Sequence, residues 1–203
     1  MEEIFLRCRA KIGTWRQFTT GDFQPSAVLP PPSAAKGLFL TLARAVDWKE
    51  LDGAEVAVGR VSEAEPFRVY QHMWVFPVGS SEREKMVRSG ADHGTSCEKY
   101  HMRPSIREFL CGIDVVLGLR ASPEIVARVR SGLTDGPILW AGDTCLLWDD
   151  VSEEAPPPDL CWAVRVPGGT GPAFPLDCQV DRTCAASSRR ALFRWGSSPS
   201  WVR

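Results

Sequence analysis

The chain lacks most of the features that announce a function. It has no charge excess: 24 Lys and Arg stand against 25 Asp and Glu, so bulk electrostatics does not advertise a nucleic-acid binder. It has no CxxC pair, and its seven cysteines (8, 97, 111, 145, 161, 178 and 184) are odd in number and scattered. That argues against a disulfide framework and for a reducing compartment. The start, Met1-Glu2-Glu3, is acidic and is followed by no apolar run of secretory length. No stretch reaches the ~20 apolar residues that span a bilayer. The expected setting is therefore cytoplasmic, away from membranes. Only three histidines are present, which leaves few choices for acid–base or metal chemistry. The Gly168-Gly169-Thr170-Gly171 run lacks the lysine of a phosphate-binding loop and reads as a turn.

What is present is an ordinary globular composition with 44% hydrophobic residues. At 203 residues it suits one large domain, or a domain with an appendage. Eight tryptophans are many for this length, and Trp is enriched in contact patches. Charge is segregated along the chain. Five arginines (182, 189, 190, 194 and 203) and no acid lie from Arg182 onward, whereas Glu124 to Asp159 is acidic. The N-terminal segment carries Arg7, Arg9, Lys11, Arg16, Lys36 and Arg44 against Glu2, Glu3 and Asp22. Such a chain can meet phosphate on one face and protein on another.

Alternation predicts a strand over Ile4 to Arg9, and further strands over Glu55–Val61, Phe67–Val78, Met102–Leu119, Ile138–Trp148, Trp162–Val166 and Leu176–Val180. Pro30-Pro31-Pro32 forces an extended approach, after which Ser33 is a candidate N-cap for a helix over Ala34–Val46. Ser122-Pro123-Glu124 opens a second helix to about Arg130, with Gly132 as its stop. Ser152 to Pro158 reads as an acidic connector, and the last residues as loosely ordered. The order of elements fits a ferredoxin-like α+β sandwich. Residues 1–150 form the body and 151–203 add strands and a basic tail.

Two segments combine cations with aromatics. One runs from Trp15-Arg16-Gln17-Phe18 to Pro31-Pro32-Ser33-Ala34-Ala35-Lys36-Gly37. The other runs from Tyr70-Gln71-His72 to Lys99-Tyr100-His101-Met102-Arg103-Pro104 and Arg107-Glu108-Phe109-Leu110. Cations suit phosphates and flat side chains suit unstacked bases, which together point to RNA. In order and character these segments resemble the CRISPR-associated protein family 5 (Cas family 5), in its DevS-like branch. Tyr70-Gln71-His72 meets that family's pattern before an inserted β-hairpin, the thumb. Pro104, Arg107, Glu108 and Leu110 meet the pattern after it, and Ala141-Gly142-Asp143 meets a later Leu-Gly-Asp pattern in part.

The resemblance implies a ferredoxin-like (RRM-like, RAMP) body with a thumb around 72–100. It implies a non-catalytic subunit of a type I CRISPR effector (Cascade) ribonucleoprotein in antiviral defence. That subunit would cap the 5′ handle of the crRNA, contact a Cas family 7 backbone subunit and a Cas family 8 large subunit, and lie near target DNA. It needs no cofactor.

Candidate RNA contacts are Trp15, Arg16, Gln17, Lys36, Gln71, His72, Tyr100, His101, Arg103 and Arg107. For each there is a plainer reading: a solvated strand end for Arg16, an exposed helix lysine for Lys36, structural pairing of Arg103 and Arg107 with Glu108. Lys36 near the free N–H groups of a helix start could hold a phosphate. The alternative activity is metal-independent cleavage of precursor crRNA. Lys99, Tyr100 and His101 form the only tight cluster of suitable residue types, and they read as binding rather than cutting residues. His93, Cys97 and His101 are spaced four apart, but in a Gly-rich segment unsuited to helix, so no metal site is expected.

Overall fold

The computed structural model describes residues 1–15, 17, 23–75, 101–142, 146–166, 174–179 and 189–203. Strand β1 (Glu2–Gly13) is followed by the short β2 (Phe23–Gln24), helix α1 (Pro32–Leu42), a 3-10 turn (Trp48–Leu51) and β3 (Glu55–Arg60). Then come β4 (Glu65–Val75), β5 (His101–Ala121), helix α2 (Pro123–Asp135), β6 (Asp150–Glu153), β7 (Cys161–Arg165), β8 (Phe174–Gln179) and β9 (Arg189–Gly196). The nine strands among the described residues join one sheet. Its path runs β6-β1-β5-β3-β7-β9-β8, with β2 and β4 attached to β5.

Within it, β1-α1-β3-β5-α2-β6 is a β-α-β-β-α-β unit with β6-β1-β5-β3 side by side and antiparallel. That is the ferredoxin-like arrangement. The C-terminal strands extend the same sheet from β3 through β7.

Alternation decides which side of the sheet is filled. Ile4, Leu6, Cys8 and Ala10 of β1 are buried, as are Ile113, Val115, Leu117 and Leu119 of β5 and Val56 and Val58 of β3. The register sets these residues opposite one another, for example Leu6 against Leu117 and Val56 against Leu119. They share one core with Phe39 and Leu42 of α1 and Val126 and Val129 of α2. Burial also pushes the Cys8 thiol pKa well up, so this cysteine behaves as a small apolar residue.

Several local expectations are corrected. α1 begins at Pro32 with Pro31 as its cap and no side-chain cap bond, so Ser33 lies inside the helix. α2 does open on Ser122, whose hydroxyl accepts from the Ile125 N–H, but it runs past Gly132 to end on Gly136 in the left-handed region. Ile138 to Trp148 is no strand among the described residues; a single bridge joins Trp140 and Leu147. Part of the acidic connector is β6, paired with β1. The C-terminal residues are not loose. β9 lies between β7 and β8, and Val202 exchanges both backbone bonds with Val56, each 2.8 Å. The Gly168–Gly171 turn, His93, Cys97, Lys99 and Asp143 lie outside the described residues.

Acid titration follows from two carboxylates. Glu50 sits below its ordinary pKa of 4.5 because the Arg128 guanidinium, then the Asp47 and Val46 N–H groups, bond its charged form. Glu154 is lowered by the Ser152 hydroxyl and then by Arg7. A depressed carboxylate contributes stability above its unfolded pKa and loses it as pH falls through the folded value. The urea midpoint is therefore expected to fall as pH drops below about 4.5. Glu50→Gln should shrink that fall. An unchanged acid limb in the variant would contradict it.

Candidate nucleic-acid interface

The structure separates the residues that the sequence groups together. Trp15 is 5% exposed and sits in the core, its ring 5.9 Å from that of Trp148. Its N–H donates to Ser26 Oγ and its carbonyl accepts from the Ala27 N–H. Trp15 is thus a packing residue with no face to offer a base, which corrects the expectation. Gln17 ties the same bracket: its N–H donates to the Pro25 carbonyl and its side chain to that of Ser26. Lys36 is half-buried in α1. The anion nest expected at that helix start is poor. Pro32 has no N–H, and the Ala34 and Ala35 N–H groups both donate to the Pro31 carbonyl. Arg16 and Tyr100 lie outside the described residues, as do the side chains of His72, His101 and Arg103.

The remaining candidates meet on one structure. β5 is 21 residues long and serves two sets of partners. From Val115 onward it lies between β1 and β3; up to Cys111 it pairs with β4 over Glu65–Val75 and, at Ile106–Arg107, with β2 over Phe23–Gln24. The change comes at Gly112, whose φ of 68° favours glycine. The part of β5 before Gly112, with β4 and β2, makes a ribbon. β4 and β5 pair from Glu65 opposite Cys111 to Val75 opposite His101; residues 76–100, most of the stretch expected as a thumb, lie outside the described residues.

Strand pairing sorts the ribbon into two faces. On one, Phe67 stacks on Phe109 at 5.3 Å, and Val69 and Gln71 stand opposite Arg107 and Ser105. The Arg107 guanidinium lies 5.1 Å from the Phe109 ring. Further along the backbone register Arg103 pairs with Met73 and His101 with Val75.

On the other face, Arg68 pairs with Glu108, Tyr70 with Ile106, and Phe23 with Ile106 from the far side. Tyr70 is 61% exposed, and Phe23 and Ile106 are exposed too. Arg68 spans them: its Nε is 3.2 Å from Glu108 Oε2, and its Cζ is 5.0 Å from the Phe23 ring. Glu108 is the anchor, with Oε1 accepting from the Ser26 N–H and its carbonyl from the Thr14 hydroxyl. Tyr70, Phe23 and Arg68 were missed as site residues. The signal for two of them is in the sequence, because counting by twos from Tyr70 reaches Arg68.

The sheet face away from the helices is not an alternative. Ala57, Val116, Leu160 and Trp162 are buried there, with Phe5 and Trp201 packed on them. Phe5 lies 5.9 Å from each of the two tryptophan rings. Arg120 lies over Trp201 at 4.2 Å and bonds Glu3 and Glu55. Beside it, Arg7 bonds both oxygens of Asp114, and Arg9 bonds Asp150. The Asp114 carboxylate pushes the already high Arg7 pKa further up. Cations so neutralised add little field for a phosphate. Among the described residues no group of three or more His, Cys, Asp or Glu could hold a metal, and no helix is long and apolar enough to cross a membrane.

No family model matches the chain, and no curated protein matches it in sequence. Solved structures do match in fold. A chain from a CRISPR RNA-guided surveillance complex superposes with a TM-score of 0.60 at 12% identity, over 99% of this chain and 91% of that one. A Cas protein crystal structure gives a TM-score of 0.52 at 15% identity, over 98% and 94%. The fold of this chain is therefore similar to that of these CRISPR-associated proteins.

Proposed function

We propose that the chain is a non-catalytic RNA-binding subunit of a CRISPR effector complex. It holds the 5′ handle of the crRNA against the β2–β4–β5 ribbon and contacts a Cas family 7 backbone subunit and a Cas family 8 large subunit near target DNA. The observation that carries the reading is the ribbon face of Phe23, Arg68, Tyr70 and Ile106. Single-stranded RNA is bound by flat side chains that take unstacked bases and by cations at the phosphates. This face offers both, whereas the central sheet face is filled by the chain's own tryptophans. Fold likeness to a surveillance-complex chain supports the CRISPR setting. Gln71 and Arg107 lie on the reverse face of the ribbon; His72, Tyr100, His101 and Arg103 are proposed as further contacts on the ground of the sequence alone.

The test is to co-express the chain with a repeat–spacer transcript, purify it, and sequence the RNA that travels with it. One fixed 5′ end is expected. RNA of random ends, or none, would contradict the reading. Incubation of the purified chain with precursor repeat RNA in EDTA is expected to leave the RNA intact. A discrete cut would replace the binding role with a metal-independent nuclease.

A further inference from the structure

A different kind of surface lies at the ends of the two helices. After α1 the chain turns through Arg44, held in the left-handed region at φ 49°, which is uncommon for a residue with a Cβ. The turn is tied at every step. The Arg44 N–H donates to the Thr41 carbonyl and the Ala45 N–H to that of Leu40. The Val46 and Asp47 N–H groups both donate to Glu50 Oε1, at 2.7 and 3.1 Å. From α2, Arg128 bonds the Ala43 carbonyl at 2.9 Å and Glu50 at 2.7 Å, and Asp135 pairs with Arg44 at 2.7 Å. The loop so braced holds Val46 99% exposed and leaves Trp48 exposed beside it. Apolar side chains fixed in water contribute nothing to the fold. Fixed in advance, they lose little freedom on docking, and Trp is prominent among residues that carry binding energy.

Next to this loop is an open groove of about 310 Å³, at the lower end of ligand-site sizes. Leu42, Leu133, Leu139 and Trp148 line it, with Ile138 (67% exposed) and Leu147 at its lip. The Arg44–Asp135 pair joins groove to loop, since of the lining Leu42 lies two residues before Arg44 and Gly136 follows Asp135. Among the described residues the charged ones in the lining are Asp149 and Asp150. Arg9 pairs with Asp150, whereas Asp149 accepts the Lys11 backbone N–H and takes part in no ion pair among the described residues, so its negative charge stays uncompensated in the lining. That field repels a phosphate backbone and favours a cationic partner.

We propose that the groove and the Val46–Trp48 loop form one docking surface for a partner protein. The partner reaches it with a segment that sets an apolar side chain between Lys or Arg residues. The inference is independent of RNA binding, because it uses another face and the opposite sign of charge.

The experiment pans the full chain against a displayed library of random linear peptides. One synthesised consensus peptide is then measured by fluorescence anisotropy. The expected consensus is an apolar anchor flanked by Lys or Arg, with affinity that falls as salt rises. Ile138→Lys and Val46→Ser should each weaken it about 10-fold or more, with the urea midpoint unchanged. Both side chains are exposed, so neither change disturbs the core. The absence of a consensus, a consensus without cations, or affinity indifferent to Ile138→Lys would overturn the proposal. Loss on only one of the two changes would overturn the single surface. A dimer of the chain dissolved by Ile138→Lys would make the occupant a second copy and overturn the stated partner.

Discussion

Gly132→Ala is expected to destabilise the fold by about 3 kcal/mol, although alanine is the better helix former. Two effects compete. Within a helix, Ala is favoured over Gly by about 1 kcal/mol. Here, however, α2 lies against the end of α1 so closely that a Cβ on Gly132 would stand 1.9 Å from the Leu42 carbonyl oxygen. That atom is backbone and cannot rotate away. Relief requires the two helices to part, which loosens Leu42, Val126 and Val129 in the shared core. Overpacking of this kind costs about 1–3 kcal/mol and occasionally more, so sterics outweighs propensity. For a chain of this length the thermal midpoint should fall by about 6–12 °C. The control is Gly37→Ala in α1, where a Cβ meets nothing within 4 Å; it should be neutral or stabilising. Equal midpoints for Gly132→Ala and the parent chain would show that the helices do not touch at this point.

The second large effect concerns the ribbon. Tyr70→Ala is expected to weaken single-stranded RNA binding by about 5- to 150-fold, the range set by ~1–3 kcal/mol for one base stacked on an aromatic side chain. Arg68→Ala should act differently. Loss of one phosphate contact lowers the slope of log affinity against log salt by about 0.7 for a single strand, and weakens binding similarly across sequences. The Arg68–Glu108 pair is exposed on the arginine side, so its loss should barely move stability. Trp15→Phe provides the contrast. It removes part of a buried ring against Trp148 and should lower the unfolding midpoint while leaving RNA affinity in place. If Trp15→Phe weakened RNA binding and Tyr70→Ala did not, the two tryptophan and tyrosine assignments would have to be exchanged.

The contrast between Trp15 and Tyr70 shows where the chain is legible. Both are flat residues next to polar neighbours, and nothing local distinguishes an inward ring from an outward one. The difference is made by residues far along the chain: Trp148 closes over Trp15, while Tyr70 stands opposite Ile106 on the ribbon and stays exposed. Elements defined by their own side chains were readable. The alternation of β1, β3 and β5 survives as the core face, and the Ser122 cap with Pro123 at the first turn of α2 is local chemistry. Together these suffice for the ferredoxin-like order.

Elements defined by partners were not. Gly132 looks like a helix stop in isolation, yet it is the contact that lets α1 approach α2. Ile138 to Trp148 has the composition of a strand but no neighbouring strand to pair with among the described residues, so only one bridge forms. The reverse holds at the end of the chain. Arginines dominate that stretch and suggest a solvated tail, but Phe193 is buried between neighbours supplied by β7 and β8. Val202 completes the free side of β3. Arg107-Glu108 was legible as a motif but not in its roles. Glu108 fixes Thr14, Ser26 and Arg68 in place, and is thus the positioning residue of the ribbon.

The most direct measurement is ultraviolet crosslinking of the full chain to a single-stranded repeat RNA, with the crosslinked residues mapped by mass spectrometry. Crosslinks at Phe23 and Tyr70, lost together in the Tyr70→Ala and Arg68→Ala chain, are the expected result. Crosslinks confined to Phe5, Trp162 and Trp201 would mean that RNA displaces the packed sheet face and that the ribbon is not the binding surface.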